Sequence, residues 1–195
     1  MSKGKFIAIE GIDKSGKTTL AKQLSIKLAR MGIRNVVTRE PWHPLITHVI
    51  NEATSKGVDG YAEALLFAAD RLLHIRSFIE PNLENGEWVI TDRYVYSSIA
   101  YQTARGAERE WVEEINRYAV RPDITILLDI DPREAEARSG DARLQALEDK
   151  VFSENIRKIY LELASLYGFL VLDASKNPNV LVSEVVSELK KRKWV

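Results

Sequence analysis

The chain has 195 residues, 45% of them hydrophobic, which suits one domain with an ample core. Lys plus Arg and Asp plus Glu both number 28, so no net charge draws it toward nucleic acid or a membrane surface. There is no cysteine, which excludes a disulfide framework and thiolate chemistry and fits a cytoplasmic protein.

Before Glu10 the only apolar run is FIAI, too short for a signal sequence or a membrane span. KFIAIE (5–10) reads as a buried parallel strand that ends in a Gly-bearing turn. From Lys17, the leucines 20, 24 and 28 take helical spacing, and Gly32 supplies a stop. NVVTRE (35–40) is a second strand. PLITHVINEA (44–53) and YAEALLFAADRLLHIRSFIE (61–80) are predicted helices, the latter closed by Pro81. EWVITD (87–92) follows the turn residues Asn85 and Gly86 as a third strand. ITILLDI (124–130) is a fourth, followed by one helix from Pro132 and another from near Val151. GFLVLDA (168–174) is a short fifth strand, and Pro178–Lys190 make a terminal helix with a solvated basic end, KKRKW. Five apolar strands separated by helical segments predict an α/β fold, a five-stranded parallel sheet with helices on both faces. Right-handed crossovers would align the strand C-terminal ends, bringing Glu10, Arg39, Asp92 and Asp129 to one edge.

Between the first strand and its helix lies G-x-x-x-x-G-K-T, Gly11 to Thr18, in the context that a phosphate-binding loop requires. Gly11, Ile12, Asp13, Lys14, Ser15, Gly16, Lys17, Thr18 and Thr19 would surround the phosphates of a nucleoside triphosphate. Backbone N–H groups and the helix N-terminus would hold the β-phosphate, Lys17 the β/γ bridge, and the Thr18 hydroxyl a Mg²⁺ ion. Asp13 is unexpected there, since it places an anion inside an anion site. No N-K-x-D motif accompanies the loop, which argues against a GTPase switch, and a motor ATPase would usually be larger.

The other strand ends suit a second anionic ligand. TREP presents Arg39, and TDRYVYSSIAYQ presents Asp92 and Arg93. LLFAADR sets Phe67 and Arg71 one turn apart on a helix face, able to stack on a base and donate to its carbonyl edge. They could equally be a core Phe and a surface Arg, and Asp92 could be a helix N-cap. RSGDARLQALEDK (138–150) reads as a lid that brings positive charge late, with Arg138 and Arg143 as candidates and Arg143 favoured. A solvated loop with incidental arginines is the alternative. His43, His48 and His74 lack metal-ligand spacing and read as structural or surface residues.

EGIDKSGKTT, REP, LLFAADR, DRYVYSSIAYQ and VLDAS, in this order from Phe6 to about Ser175, together resemble the thymidylate (dTMP) kinase family. The resemblance implies a P-loop nucleoside monophosphate kinase-like domain over 1–195 with a lid loop near 138–150. It implies Mg²⁺-dependent transfer of the ATP γ-phosphoryl group to dTMP, with ATP and dTMP as partners and a homodimer as the assembly. Asp13 would face the acceptor near its sugar 3′-hydroxyl, with Lys17, Arg93 and Arg143 as its catalytic companions. Phe67 would stack on thymine, Arg71 bond its O4 edge, Ser98 sit at N3, Tyr101 lie under the sugar and Gln102 border the base. Arg39 and Arg93 would clamp the monophosphate, and Asp92 would join Thr18 at the metal. The chain departs from the pattern at Trp42-His43-Pro44, where many members have Gly-Gly-Thr, and at Lys14, where others carry Arg or Gly. A deoxynucleoside kinase or another pyrimidine monophosphate kinase is the runner-up.

Overall fold

The computed structural model describes residues 3–138 and 147–195. Arg143 and much of the predicted lid therefore lie outside the described residues. Five strands form one parallel sheet: β1 (Phe6–Glu10), β2 (Asn35–Arg39), β3 (Trp88–Asp92), β4 (Ile124–Asp129) and β5 (Leu170–Asp173), in the order β2-β3-β1-β4-β5. The central strands are apolar and covered on both faces, with all five residues of β1 and of β3 buried, whereas the edge strands β2 and β5 are partly exposed.

The pleat divides the core. Ile7, Ile9 and Ile90 pack with Leu20, Leu24 and Leu28 of α1 (Lys17–Arg30) and with Val185 and Leu189 of α9 (Pro178–Lys191). Phe6, Ala8 and Val89, one residue out of phase, pack instead on Ile75, Ile79 and Leu83. The remaining helices are α2 (Pro44–Ser55), α3 (Gly60–His74), α4 (Glu80–Glu84), α5 (Val95–Ala104), α6 (Arg109–Ile115), α7 (Pro132–Ala137) and α8 (Leu147–Tyr167).

The predicted helix over 61–80 differs at its end. Asp59 caps α3 by accepting from Tyr61 N–H and Ala62 N–H, but Pro81 does not close the segment. A π-helical stretch, Ile75–Ile79, resets the hydrogen-bond ladder, so Pro81 falls in the first turn of α4, where a missing N–H costs little. Helix α8 also begins earlier than Val151. Strand order reverses at β1, whose neighbours are β3 and β4, so the crevice for ligands opens beyond the ends of β1 and β3.

Candidate active site

At the end of β1 the chain turns through Gly11 (φ 146°), Lys14 (φ 63°) and Gly16 (φ 101°) into α1. A Cβ at Gly11 would lie 2.7 Å from the Leu128 carbonyl oxygen, so glycine is required there. Lys17 folds back over the loop, donating to the carbonyls of Gly11 (3.1 Å) and Ile12 (2.7 Å). Burial of its ammonium, with Arg93 adding repulsion, pulls its pKa from 10.5 down to about 7. The Thr18 hydroxyl donates to Asp92 Oδ2, bringing together the two oxygen ligands expected for a metal. Asp92 is the last residue of β3 and its bond goes to Thr18, so the N-cap alternative does not hold.

Helix α5 is instead capped from β1. Glu10 is fully buried, and its carboxylate accepts from Tyr94 N–H (3.1 Å), Ser97 N–H (3.3 Å), Ser97 Oγ (2.6 Å) and Tyr160 Oη (3.2 Å). Burial raises its pKa, with the Ser97 hydrogen bond working the other way. This carboxylate fixes the start of the helix that carries Ser98, Tyr101 and Gln102.

Two cavities flank the loop. One, of about 370 Å³, is lined by Lys14, Gly16, Lys17, Thr18, Thr19, Asp92 and Arg138. The other, of about 460 Å³ and more apolar, is lined by Phe67, Arg71, Ser98, Tyr101 and Gln102 among others. Asp13, Arg39, Glu40 and Arg93 line both. Arg93, held at φ 72°, donates through Nη2 to Asp13 Oδ1 (2.7 Å) and to Tyr101 Oη (3.1 Å), and Tyr101 donates to Asp13 Oδ2 (3.1 Å). Partial desolvation works against ionisation of Asp13, but the charges of Arg93 and Lys17 outweigh it and hold the carboxyl below its usual range. The loop anion is thus tied to Arg93, which lines both cavities, and to Tyr101, which lines the second.

Phe67 is half-buried and faces that cavity, outside both core clusters, while Arg71 is 2% exposed. A core Phe with a surface Arg is therefore not what the chain builds. Arg71 donates from Nε and Nη2 to Glu40 Oε2 (2.9 and 2.7 Å), from Nη1 to Asn116 Oδ1 (2.6 Å), and from Nη2 to Ser98 Oγ (3.0 Å). His74 is buried too, bonded to Thr38 Oγ1 (2.8 Å) and Glu40 Oε1 (3.2 Å), a structural role as expected. The Trp42-His43 departure is held by Asp70, which accepts from both backbone N–H groups at 2.7 Å, while the Trp42 ring stacks on His74 at 5.2 Å. Strand patterning sets Glu10 on this edge and Glu40 stands within REP, but no local pattern marks the task of either. Asp70, Asn116 and Glu63 went unnoticed, since nothing local marks a partner 27 to 45 residues away.

Arg138, at the end of α7, donates to the carbonyls of Ser15 (3.3 Å) and Ala174, and so sits at the loop. Lys14 is ion-paired with Glu136 at 2.7 Å on the exposed rim. Among the described residues no cluster of three His, Cys, Asp or Glu could hold a metal, and no helix is long and apolar enough to cross a membrane.

Comparison with known proteins gives a family model described as Thymidylate kinase, which matches residues 9–185. A probable thymidylate kinase of Pyrobaculum aerophilum is 44% identical over 192 residues, covering 95% of this chain and 96% of the relative. Similar proteins named probable thymidylate kinase occur in Staphylothermus marinus (42% identical, 89% of this chain and 88% of the relative) and Thermococcus kodakarensis (38%, 93% and 95%).

Proposed function

The chain belongs to the thymidylate kinase family, and on the geometry of its two cavities we propose how its residues divide the family's reaction. It is a nucleoside monophosphate kinase, transferring the ATP γ-phosphoryl group to dTMP to give dTDP and ADP. The observation that carries our assignment is the shared wall: Asp13, Arg39 and Arg93 border both the phosphate-loop cavity and the apolar one. ATP phosphates occupy the first and dTMP the second, so donor and acceptor phosphates meet at that wall.

Catalysis is then positioning plus charge stabilisation. The loop N–H groups and Lys17 hold the β- and γ-phosphates. Arg39 and Arg93 clamp the acceptor phosphate, which is already anionic and needs no strong general base. Arg138 adds a cation beside the loop, and Arg143 remains our candidate for a later one. Thr18 Oγ1 and Asp92 Oδ2 make a hard oxygen pair that would hold Mg²⁺. When bound, Mg²⁺ supplies charge neutralisation across the β- and γ-phosphates. Phe67 stacks on the base, and Arg71 offers it an Nη1 N–H that no described residue takes. Tyr101 and Asp13 border the sugar. A deoxynucleoside kinase would have no need of two arginines on an acceptor phosphate.

A homodimer is supported by the outward faces of α2 and α3, where Leu45 is 73% exposed and Val49, Leu65, Leu72 and Leu73 are exposed as well. The reaction is tested with ATP, Mg²⁺ and a panel of nucleoside monophosphates. dTMP should give the fastest ADP release. Release only with nucleosides that lack the phosphate would move the assignment to a deoxynucleoside kinase.

A further inference from the structure

Gln102 donates through Nε2 to Glu63 Oε2 at 2.8 Å, and its own Oε1 is buried without a partner among the described residues. Glu63 is 3% exposed and belongs to α3, a helix the chemistry above does not use at this position. It comes within reach because α3 starts against the end of α5. A Cβ on Gly60 would lie 2.7 Å from the Gln102 carbonyl oxygen, so only glycine permits that approach.

A side-chain amide has two orientations, and only its surroundings choose between them. Here the choice is made by Glu63. A carboxylate can only accept, so the amide nitrogen must face Glu63, which leaves the amide oxygen buried and unpartnered beside the cavity that Gln102 lines. We propose that Glu63 is a positioning residue for base specificity: by fixing the Gln102 amide, it makes the site accept a pyrimidine with an imide N–H and disfavour one with a ring-nitrogen lone pair. Thymine and uracil carry that N–H, and cytosine does not. This rests on the reading of the apolar cavity as the dTMP base site.

The remaining partners of Glu63 make the idea testable. Oε1 accepts from Thr54 Oγ1 (2.7 Å) and from Arg105 Nη1 (2.5 Å), both donors. In Glu63→Gln those two donors would keep oxygen on their side, and the new amide nitrogen would point at Gln102. Gln102 would then accept from residue 63, turn over, and present Nε2 to the base.

The experiment measures kcat/KM for dTMP, dUMP and dCMP in wild type and Glu63→Gln. Buried groups left unpaired discriminate strongly, so the dCMP-to-dTMP ratio should rise by about tenfold or more, while dUMP falls in parallel with dTMP. A purely structural role would depress all three alike and leave the ratio unchanged, and that result overturns the proposal. If Glu63→Gln does not fold, the exchanged pair E63Q/Q102E decides. It reverses donor and acceptor, so an oxygen still faces the base and dTMP preference should persist. Loss of that preference contradicts the inference. A wild-type protein that ignores dTMP would instead refute the assigned function, which keeps the two failures distinct.

Discussion

The phosphate loop and the acceptor cavity share a wall but are built in opposite ways. The loop is nine consecutive residues whose backbone would do the binding, with Gly11 and Gly16 setting its path and one buried lysine folded over it. The acceptor side is assembled from the end of β2 and from α2, α3 and α5. Its groups are fixed by buried side-chain bonds that span long stretches of sequence, Glu40 to Arg71 to Asn116 and Glu63 to Gln102. A backbone-built site tolerates changes around it. A network-built site transmits them, because each removed partner leaves a buried polar group unpaired.

Lys17→Ala should show the largest effect. Turnover should fall about 10³-fold or more with the fold and the KM for dTMP retained, because the ammonium meets transition-state charge on the loop side only. Steady-state kinetics and circular dichroism check both halves of that statement. Glu40→Ala attacks the other region. It strands the Arg71 guanidinium, both groups being 2% exposed, and should cost about 3–5 kcal/mol of stability in urea titrations. In the protein that remains folded, dTMP binding should weaken and ATP binding should not. Equal loss of both would erase the distinction between the regions.

Phe67→Ala is gentler. Loss of a stacking ring should weaken dTMP binding by roughly 1–3 kcal/mol without unfolding the protein, since the side chain lines a cavity and belongs to neither core cluster. Calorimetric titration with each nucleotide separates the two affinities. The smallest effect is a pH dependence confined to the loop. Free Lys17 titrates near 7, and phosphate beside it should raise that value. The sign follows: below pH 7 the ammonium is already present, whereas above it binding must take up a proton. ATP affinity should therefore fall, by less than about tenfold per unit, between pH 7.5 and 9, and Lys17→Met should flatten the slope. dTMP affinity should not follow the same curve.

What could be read from the chain divides along the same line. The strands, α1 and the loop follow from local patterns, and so do Thr18, as part of the loop motif, and Asp92, at the end of a strand. Phe67 and Arg71 were visible as a pair, but Arg71 is buried, against its usual habit, because Glu40 and Asn116 meet it from other elements. Pro81 is a false stop signal, since the π-helical stretch before it, whose Ile75 and Ile79 pack with Phe6, Ala8 and Val89, carries no local mark. Glu10 capping a helix 85 residues away is the same lesson, since proximity there is made by the sheet. Arg143 and its neighbours lie outside the described residues.

Asp13 joins the two regions, and its orientation is the central claim. Its carboxylate is bonded to Tyr101, which lines the acceptor cavity, and to Arg93 on the shared wall, so Asp13→Asn should spare ATP affinity and lower turnover of dTMP by an amount equivalent to roughly 1.5–3 kcal/mol. The decisive measurement is kcat/KM for dTMP and for its 3′-deoxy analogue in wild type and Asp13→Asn. If the carboxylate meets the 3′-hydroxyl, the analogue should be much poorer than dTMP for wild type and hardly poorer for the mutant, because the partner is already gone. Additive losses, with the mutant discriminating between the two acceptors as wild type does, would contradict it.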